Sequence, residues 1–368
     1  MTARRAPVWL NVAVAAVATL VGLGVIEVAL RVCDVDVASY HAIGGFTVYD
    51  PVLGWRLAPG RSAVFRGAHF SASVQQNAEG LRDRHYPYER TPGRPRVLVL
   101  GDSFVWCWGV AADECFTERL EAALAPAEVI NAGVPAYSTA QAVLFYEREA
   151  RRYRPDLVIH VVVPNDPIEN VIGPGPRIRL VDGRLADPAA IAPRRKAVAT
   201  EWLQAHSRVF AQLTYFVAVG RDALRIWRAS GWPWRTATAG AADGGYVPGG
   251  ALPPEGAWRL TEALFDRLDA DIKADGGRLA LVFEAMARPM STRLLAYCAA
   301  RGVPCLDLGP VLTAAVARGV RVRLWGDPHV GPAGQAVVSE AVRGFVEQER
   351  LLGFGALVGR GRDHSSEP

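Results

Sequence analysis

Ser103 follows Gly101 by two residues, at the end of the run Arg96-Val-Leu-Val-Leu-Gly101, and its hydroxyl could attack a carbonyl carbon. The run reads as a buried parallel strand, whose carboxyl end is where open α/β sheets place their ligands. Gly101 lets the chain turn sharply there, so that Ser103 is presented at the mouth of the sheet. Serines also cap helices and fill turns, so Gly101-Asp102-Ser103 alone does not establish a nucleophile. Acyl transfer further requires a base, a group that orients it, and donors aimed at the developing oxyanion. The segment Trp325-Gly-Asp327-Pro-His329-Val-Gly331-Pro332 offers the first two. Proline after Gly331 suits the first position of a helix, which leaves His329 in the loop before it. Pro328 pushes Asp327 toward an extended conformation, where residues two apart share a side, so Asp327 can reach the imidazole. The alternative is an Asp-Pro turn beside a surface histidine.

Two more strands end in residues suited to the oxyanion. Glu128-Val-Ile-Asn131 leads into Ala132-Gly133, and Gly133 could bring its backbone N–H close to a substrate. Asp156 to Val163 is apolar enough for burial on both faces and leads into Pro164-Asn165-Asp166-Pro167, where Asn165 could offer its side-chain amide. Each also reads as an ordinary turn. Together they fall where a parallel sheet gathers its site.

These four blocks resemble those of the SGNH/GDSL hydrolases, esterases and acyltransferases with a flavodoxin-like, three-layer α/β/α fold around a mainly parallel sheet. Gly101-Asp102-Ser103, Asn131-Ala132-Gly133, Asn165-Asp166 and Asp327 with His329 match the family's blocks in order, over residues 94–166 and 276–346. The resemblance implies that Ser103 attacks, His329 serves as base and then acid, and Asp327 orients His329. It further implies an oxyanion held by the Ser103 N–H, the Gly133 N–H and the Asn165 amide, with no metal or organic cofactor. The chain departs from the family in two places. Val163 stands where glycine is frequent, two residues before the asparagine. Asp327 precedes His329 by two residues, with Gly326 at the commoner position, a spacing similar to that of polysaccharide O-acetyltransferase relatives.

The amino terminus suggests where such chemistry takes place. Arg4 and Arg5 precede Val8 to Ile26, apolar apart from Asn11. About twenty apolar residues cross a bilayer, and no small-residue cleavage site follows. Residues 1–33 therefore read as an uncleaved single-pass anchor, with Glu27 and Arg31 pairing one turn apart at its end. Basic residues before it and Asp34 and Asp36 after it place the amino terminus in the cytoplasm and the rest in the periplasm or otherwise outside.

Residues 34–93 read as a small strand-rich lead-in and 94–350 as one catalytic domain with an insertion at about 167–255; residues 351–368 read as a disordered tail. Arg82, in the lead-in, reads as a structural ion-pair partner ahead of a substrate contact. Within the insertion an amphipathic stretch runs from Trp202 to Trp227. Trp202, Phe210, Tyr215, Phe216 and Trp227 are expected to pack on the core rather than face a membrane. Helices at 256–275 and 290–301 and strands at 278–284 and 303–307 are expected to complete the sheet. The net charge of +4 is spread out, and the Arg148, Arg151, Arg152 and Arg154 cluster suits a helix end begun by the box Ser138-x-x-Gln141, so no nucleic-acid partner is expected. The five cysteines lack zinc spacing. Buried free thiols are the default for them, and Cys298 and Cys305 are the pair a helix-to-strand turn could join.

The function expected is that of a membrane-anchored serine esterase acting on small esters, such as the O-acetyl groups of cell-envelope glycans. An O-acyltransferase would share its acyl-enzyme. A non-catalytic glycan-binding or assembly protein is the alternative from another class.

Overall fold

In the computed structural model, the described residues are 7–33, 46–67, 70–173, 175–176, 178–186, 188, 253–284 and 288–353, with separate positions between 203 and 217. The expected tail lies mostly outside them, as does most of the expected insertion, including Trp202, Tyr215 and Trp227. The first described element is helix α1 (Val8–Val32), which is long and apolar enough to cross a membrane, with a mean hydropathy of 2.3 and none of its residues buried. Two antiparallel hairpins follow, β1 (Thr47–Asp50) with β2 (Gly54–Leu57), and β3 (Ser62–Gly67) with β4 (Phe70–Gln75).

The main body alternates strands and helices. These are β5 (Arg96–Gly101), α2 (Phe116–Ala123), β6 (Glu128–Gly133), α3 (Thr139–Arg148), β7 (Leu157–Val162) and α4 (Asp166–Ile172). A short hairpin, β8 (Arg179–Val181) with β9 (Arg184–Ala186), precedes α5 (Glu255–Ala274), β10 (Arg278–Phe283), α6 (Arg288–Arg301), β11 (Cys305–Asp307), α7 (Leu308–Ala317) and α8 (Pro332–Gln348). Five strands form one parallel sheet in the order β11-β10-β7-β5-β6. This is the doubly wound order in which the second strand lies outside the first, and the chain's direction of winding reverses between β5 and β7. Loops leaving those two strands diverge, and the crevice between them is the natural ligand site of such a sheet.

Strand periodicity divides the core in two. Leu98 and Leu100 of β5 face a cluster built with α3, α5, α6 and the lead-in hairpins, while Val97 and Val99 face one built with α2, α7 and α8. Both faces are covered, which is why these strands read as unbroken apolar runs. The expected box at α3 forms, with the Ser138 N–H donating to Gln141 Oε1 at 3.0 Å. Two cysteine pairs are joined, Cys298–Cys305 and Cys107–Cys115, with Cα separations of 6.3 and 5.6 Å. This corrects the expectation of free buried thiols. The second pair escaped notice because its members, eight positions apart, are brought together by a fold-back of the chain that no local pattern announces.

At the amino ends of the strands, Arg96 is completely buried. Its Nε is 2.6 Å from Glu128 Oε2, and its other nitrogens donate to the carbonyls of Tyr88, Glu89 and Tyr153. One guanidinium thus joins the lead-in to β5, β6 and the turn before β7. Removing one partner of a buried pair strands the other charge. We expect Arg96→Met to lower the free energy of unfolding by about 3–5 kcal/mol in denaturant titrations of the full chain in detergent, and Arg96→Met with Glu128→Leu to recover part of it.

Candidate active site

β5 ends at Gly101, paired in register with Gly133 at the end of β6. A Cβ on Gly101 would lie 2.5 Å from Val105 Cγ2, and one on Gly133 would lie 2.6 Å from the Val105 carbonyl carbon. Because both lack a Cβ, the chain after Ser103 drops onto the strand ends. Asn131 secures it there. Its Nδ2 donates to Val105 O at 2.8 Å and to Thr117 Oγ1 at 3.1 Å, while its Oδ1 accepts the Gly133 N–H at 3.0 Å. This corrects the reading of Gly133 as an oxyanion donor: its N–H is already engaged and its Cα is packed against the nucleophile loop. The glycine signal was real, but it marked a close approach of backbone rather than a free donor. Three residues on in the same loop, Ala136 is exposed and takes a left-handed φ of 62°.

The loop from Asp102 to Val110 closes with Trp106 N donating to Asp102 O at 3.0 Å and Trp108 N to Ser103 O at 3.1 Å. Arg82 braces it from the lead-in, donating to the carbonyls of Trp106, Cys107 and Val110 at 2.5–2.7 Å with its guanidinium over the Trp106 ring. The expectation of an ion pair for Arg82 is thereby corrected: its partners are backbone carbonyls. Such a loop leaves several carbonyls without strand or helix partners, and a guanidinium's fixed fork of donors suits them.

Ser103 is buried to 8% exposure and its Oγ lies 2.9 Å from His329 Nε2. His329 Nδ1 lies 2.6 Å from Asp327 Oδ1, and the same oxygen accepts the His329 backbone N–H at 2.8 Å. With Nδ1 carrying its proton toward the carboxylate, Nε2 is left to accept from the serine. Burial raises the Asp327 carboxyl, but its hydrogen bond to His329 and that residue's charge outweigh burial and hold it below the usual carboxylate range, with help from Trp108. The two-residue spacing works because Asp327 folds over its own chain, one oxygen serving both backbone and ring.

The loop bearing these residues is a tight hairpin. Leu324 N donates to His329 O at 2.9 Å, and Gly331 N to Val322 O at 2.9 Å, before α8 begins at Pro332. Arg323 pairs with Glu284 at the end of β10 and donates to Pro328 O at 2.9 Å. The Trp108 ring stacks on the His329 imidazole, 4.9 Å between centroids and 16° from parallel. Neither Trp108 nor Arg323 was singled out in the sequence; their roles depend on segments far apart in the chain.

Asn165 stands at the end of β7, across the crevice from β5, as the N-cap residue of α4. Asp166, buried beside it, accepts the Val163 N–H at 3.0 Å. Burial and the neighbouring charge of Asp102 push the Asp166 carboxyl well up. Burial likewise pushes Asp102 up to about 6, against the opposing pull of the Phe104 N–H and His329. Among the described residues no group of histidine, cysteine and acidic side chains could hold a metal ion.

Two predictions follow from this geometry. Between about pH 4 and pH 6 the folded chain binds the Asp102 proton that the unfolded chain has released, so stability falls as pH rises through that window. Asp102→Asn should flatten this fall, by up to about 3 kcal/mol, in melts recorded across the window. The second concerns Trp108, whose ring face favours the imidazolium. Trp108→Leu should slow labelling of Ser103 by a fluorophosphonate roughly 5–30-fold, whereas Trp108→Phe should retain most of the rate.

No family model matches the chain, and no curated protein matches it. Among solved structures it is similar to a two-domain esterase active on acetylated mannans, at 14% identity and a TM-score of 0.40, covering 69% of this chain and 49% of that one. It is also similar to TesA, at 13% identity and 0.38, covering 70% and 99%. A third is Axe2, an acetylxylan esterase from Geobacillus stearothermophilus, at 11% and 0.39, covering 68% and 94%. The chain spans about half the length of the first of these. Each of these alignments covers about 70% of this chain, and its five-stranded parallel sheet gives it an α/β fold.

Proposed function

We propose that this chain is a serine esterase acting on small esters through Ser103, His329 and Asp327. The observation that carries this reading is the continuous chain of hydrogen bonds from Ser103 Oγ through the His329 ring to Asp327, at 2.9 and 2.6 Å, at the switch point of the sheet. Ser103 Oγ attacks the ester carbonyl carbon as His329 Nε2 takes the hydroxyl proton. The resulting oxyanion is met by the Ser103 N–H and the Asn165 amide, which leave the sheet on either side of the crevice. His329 then returns the proton to the departing alkoxide, the C–O bond breaks, and an acyl-enzyme remains. Water, deprotonated by the same nitrogen, attacks it and frees the acid and the serine.

O-acetyl groups on cell-envelope glycans are the substrates this reading favours. Trp325, at the tip of the His329 hairpin, is 62% exposed, and Arg321 lies 5.2 Å from its ring. An exposed indole on the hairpin that carries His329 offers an apolar plate against which a sugar ring can lie. The long apolar helix α1 and the two disulfides favour an anchored enzyme whose body faces an oxidising compartment outside the cytoplasm.

The test uses the full chain in detergent, with p-nitrophenyl acetate and acetylated polysaccharides as substrates. Ser103→Ala and His329→Ala should each lower kcat by at least about 10³, and Asp327→Asn by less. Trp325→Ala should raise KM for the polysaccharide and leave p-nitrophenyl acetate unaffected. Wild type no faster than Ser103→Ala on every ester would overturn the esterase reading.

A further inference from the structure

The carboxyl end of α1 does not stand alone. Glu27 accepts hydrogen bonds from Ser207 Oγ at 3.0 Å and from the backbone N–H groups of Arg208 and Val209 at 3.0 and 2.9 Å. These are the unpaired donors at the start of a helical segment, for which an acidic side chain is a favourable partner. The exchange is reciprocal. Arg208 donates to Leu30 O at 2.8 Å, which answers one of the last carbonyls of α1, and Arg31 of α1 donates to His206 O at 2.7 Å. Each element caps the other, and Glu27 also pairs with Arg31.

Where this joint lies follows from length. A helix of 25 residues is about 37 Å long. The hydrocarbon core of a bilayer is about 30 Å thick and its headgroup layers add about 5–8 Å on each side. If the apolar run Val8–Ile26 fills the core, Glu27 to Leu30 stand within about 6 Å of its end, inside the headgroup layer. Among the described residues only this end of α1 meets the segment; residues 8 to 26 are exposed along their length. The segment therefore leaves α1 instead of packing down it.

Its own surface is apolar on the outside. Leu213, Phe216 and Val217 are 54, 63 and 61% exposed. A polar joint in the headgroup layer followed by an apolar face is the pattern of a helix lying in the membrane surface. We propose that the described residues between Leu203 and Val217 make a second membrane contact, an interfacial one bolted to the end of α1, with Leu213, Phe216 and Val217 turned to the acyl-chain boundary. This overturns the expectation that the aromatic residues here pack on the core, at least for Phe216, while Phe210 is half-buried. The inference rests on the reading of α1 as a membrane span.

The test places the full chain, with Cys33→Ser, in phosphatidylcholine nanodiscs. An environment-sensitive fluorophore is attached through Leu213→Cys, Val217→Cys, Val17→Cys in α1, or Val316→Cys on the exposed side of α7. Quenching is compared between lipids bearing a nitroxide close to the headgroup and lipids bearing one near the end of the chain. Val17 should respond most to the deep quencher, Leu213 and Val217 to the shallow one, and Val316 to neither. Adding Glu27→Ala should weaken the shallow quenching at Leu213. If Leu213 and Val217 behave like Val316 while Val17 is quenched, the interfacial segment is wrong and the anchor stands. If Val17 also escapes both quenchers, the anchor fails with it. Stronger deep than shallow quenching at Leu213 would likewise overturn an interfacial placement.

Discussion

Two missing side chains hold this site together. Gly101 and Gly133 face each other in register at the ends of adjacent strands. Only because neither projects a Cβ can the backbone after Ser103 settle on the sheet's edge. That close approach sets the height of Ser103 above the strands, and with it the distance at which a base must arrive. Asn131 fixes the approach by bonding at once to Val105 and to Gly133. Residues that look like candidates for chemistry thus serve as the bed on which chemistry is laid.

The remainder of the site is held by elements outside the strand it grows from. Arg82 reaches in from the lead-in to gather three loop carbonyls, Cys107 is tied to Cys115, and Trp108 leans on the imidazole. The histidine hairpin is secured from the opposite side of the crevice through Glu284 and Arg323. Ser103 and His329 are therefore positioned by separate scaffolds that meet at one hydrogen bond. Preorganisation of this kind keeps the reacting groups close before substrate binds, so that binding need not assemble them.

Much of this arrangement was legible in the sequence. Largely apolar runs such as Leu157–Val162, interrupted only by His160, announce strands buried on both faces, and their order with intervening helices restricts the sheet to a doubly wound form. Ser103 and His329 were readable because glycine and proline turns fix where loops leave a sheet. Gly133 was misread because a glycine needed for a close approach and one needed for a free N–H look identical in one dimension. Arg82, Trp108 and the Cys107–Cys115 bond were opaque for a related reason. Their partners are carbonyls or rings set in place by the fold, and no periodicity encodes such contacts. The joint at Glu27 was half visible: its pairing with Arg31 is local, whereas its bonds to residues 207–209 span some 180 positions.

The hydrogen bond between Ser103 and His329 joins residues 226 positions apart. A growing chain therefore carries Ser103 long before His329 is made, and on the proposed mechanism the hydroxyl stays as unreactive as any other until the histidine hairpin docks. Latency of this kind needs no propeptide or inhibitor, because chain order supplies it. On the proposed mechanism, any product released before His329 would carry the sequence Gly101-Asp102-Ser103 without its base. Such a fragment could neither attack esters it met on the way to its destination nor be trapped as a stable acyl adduct.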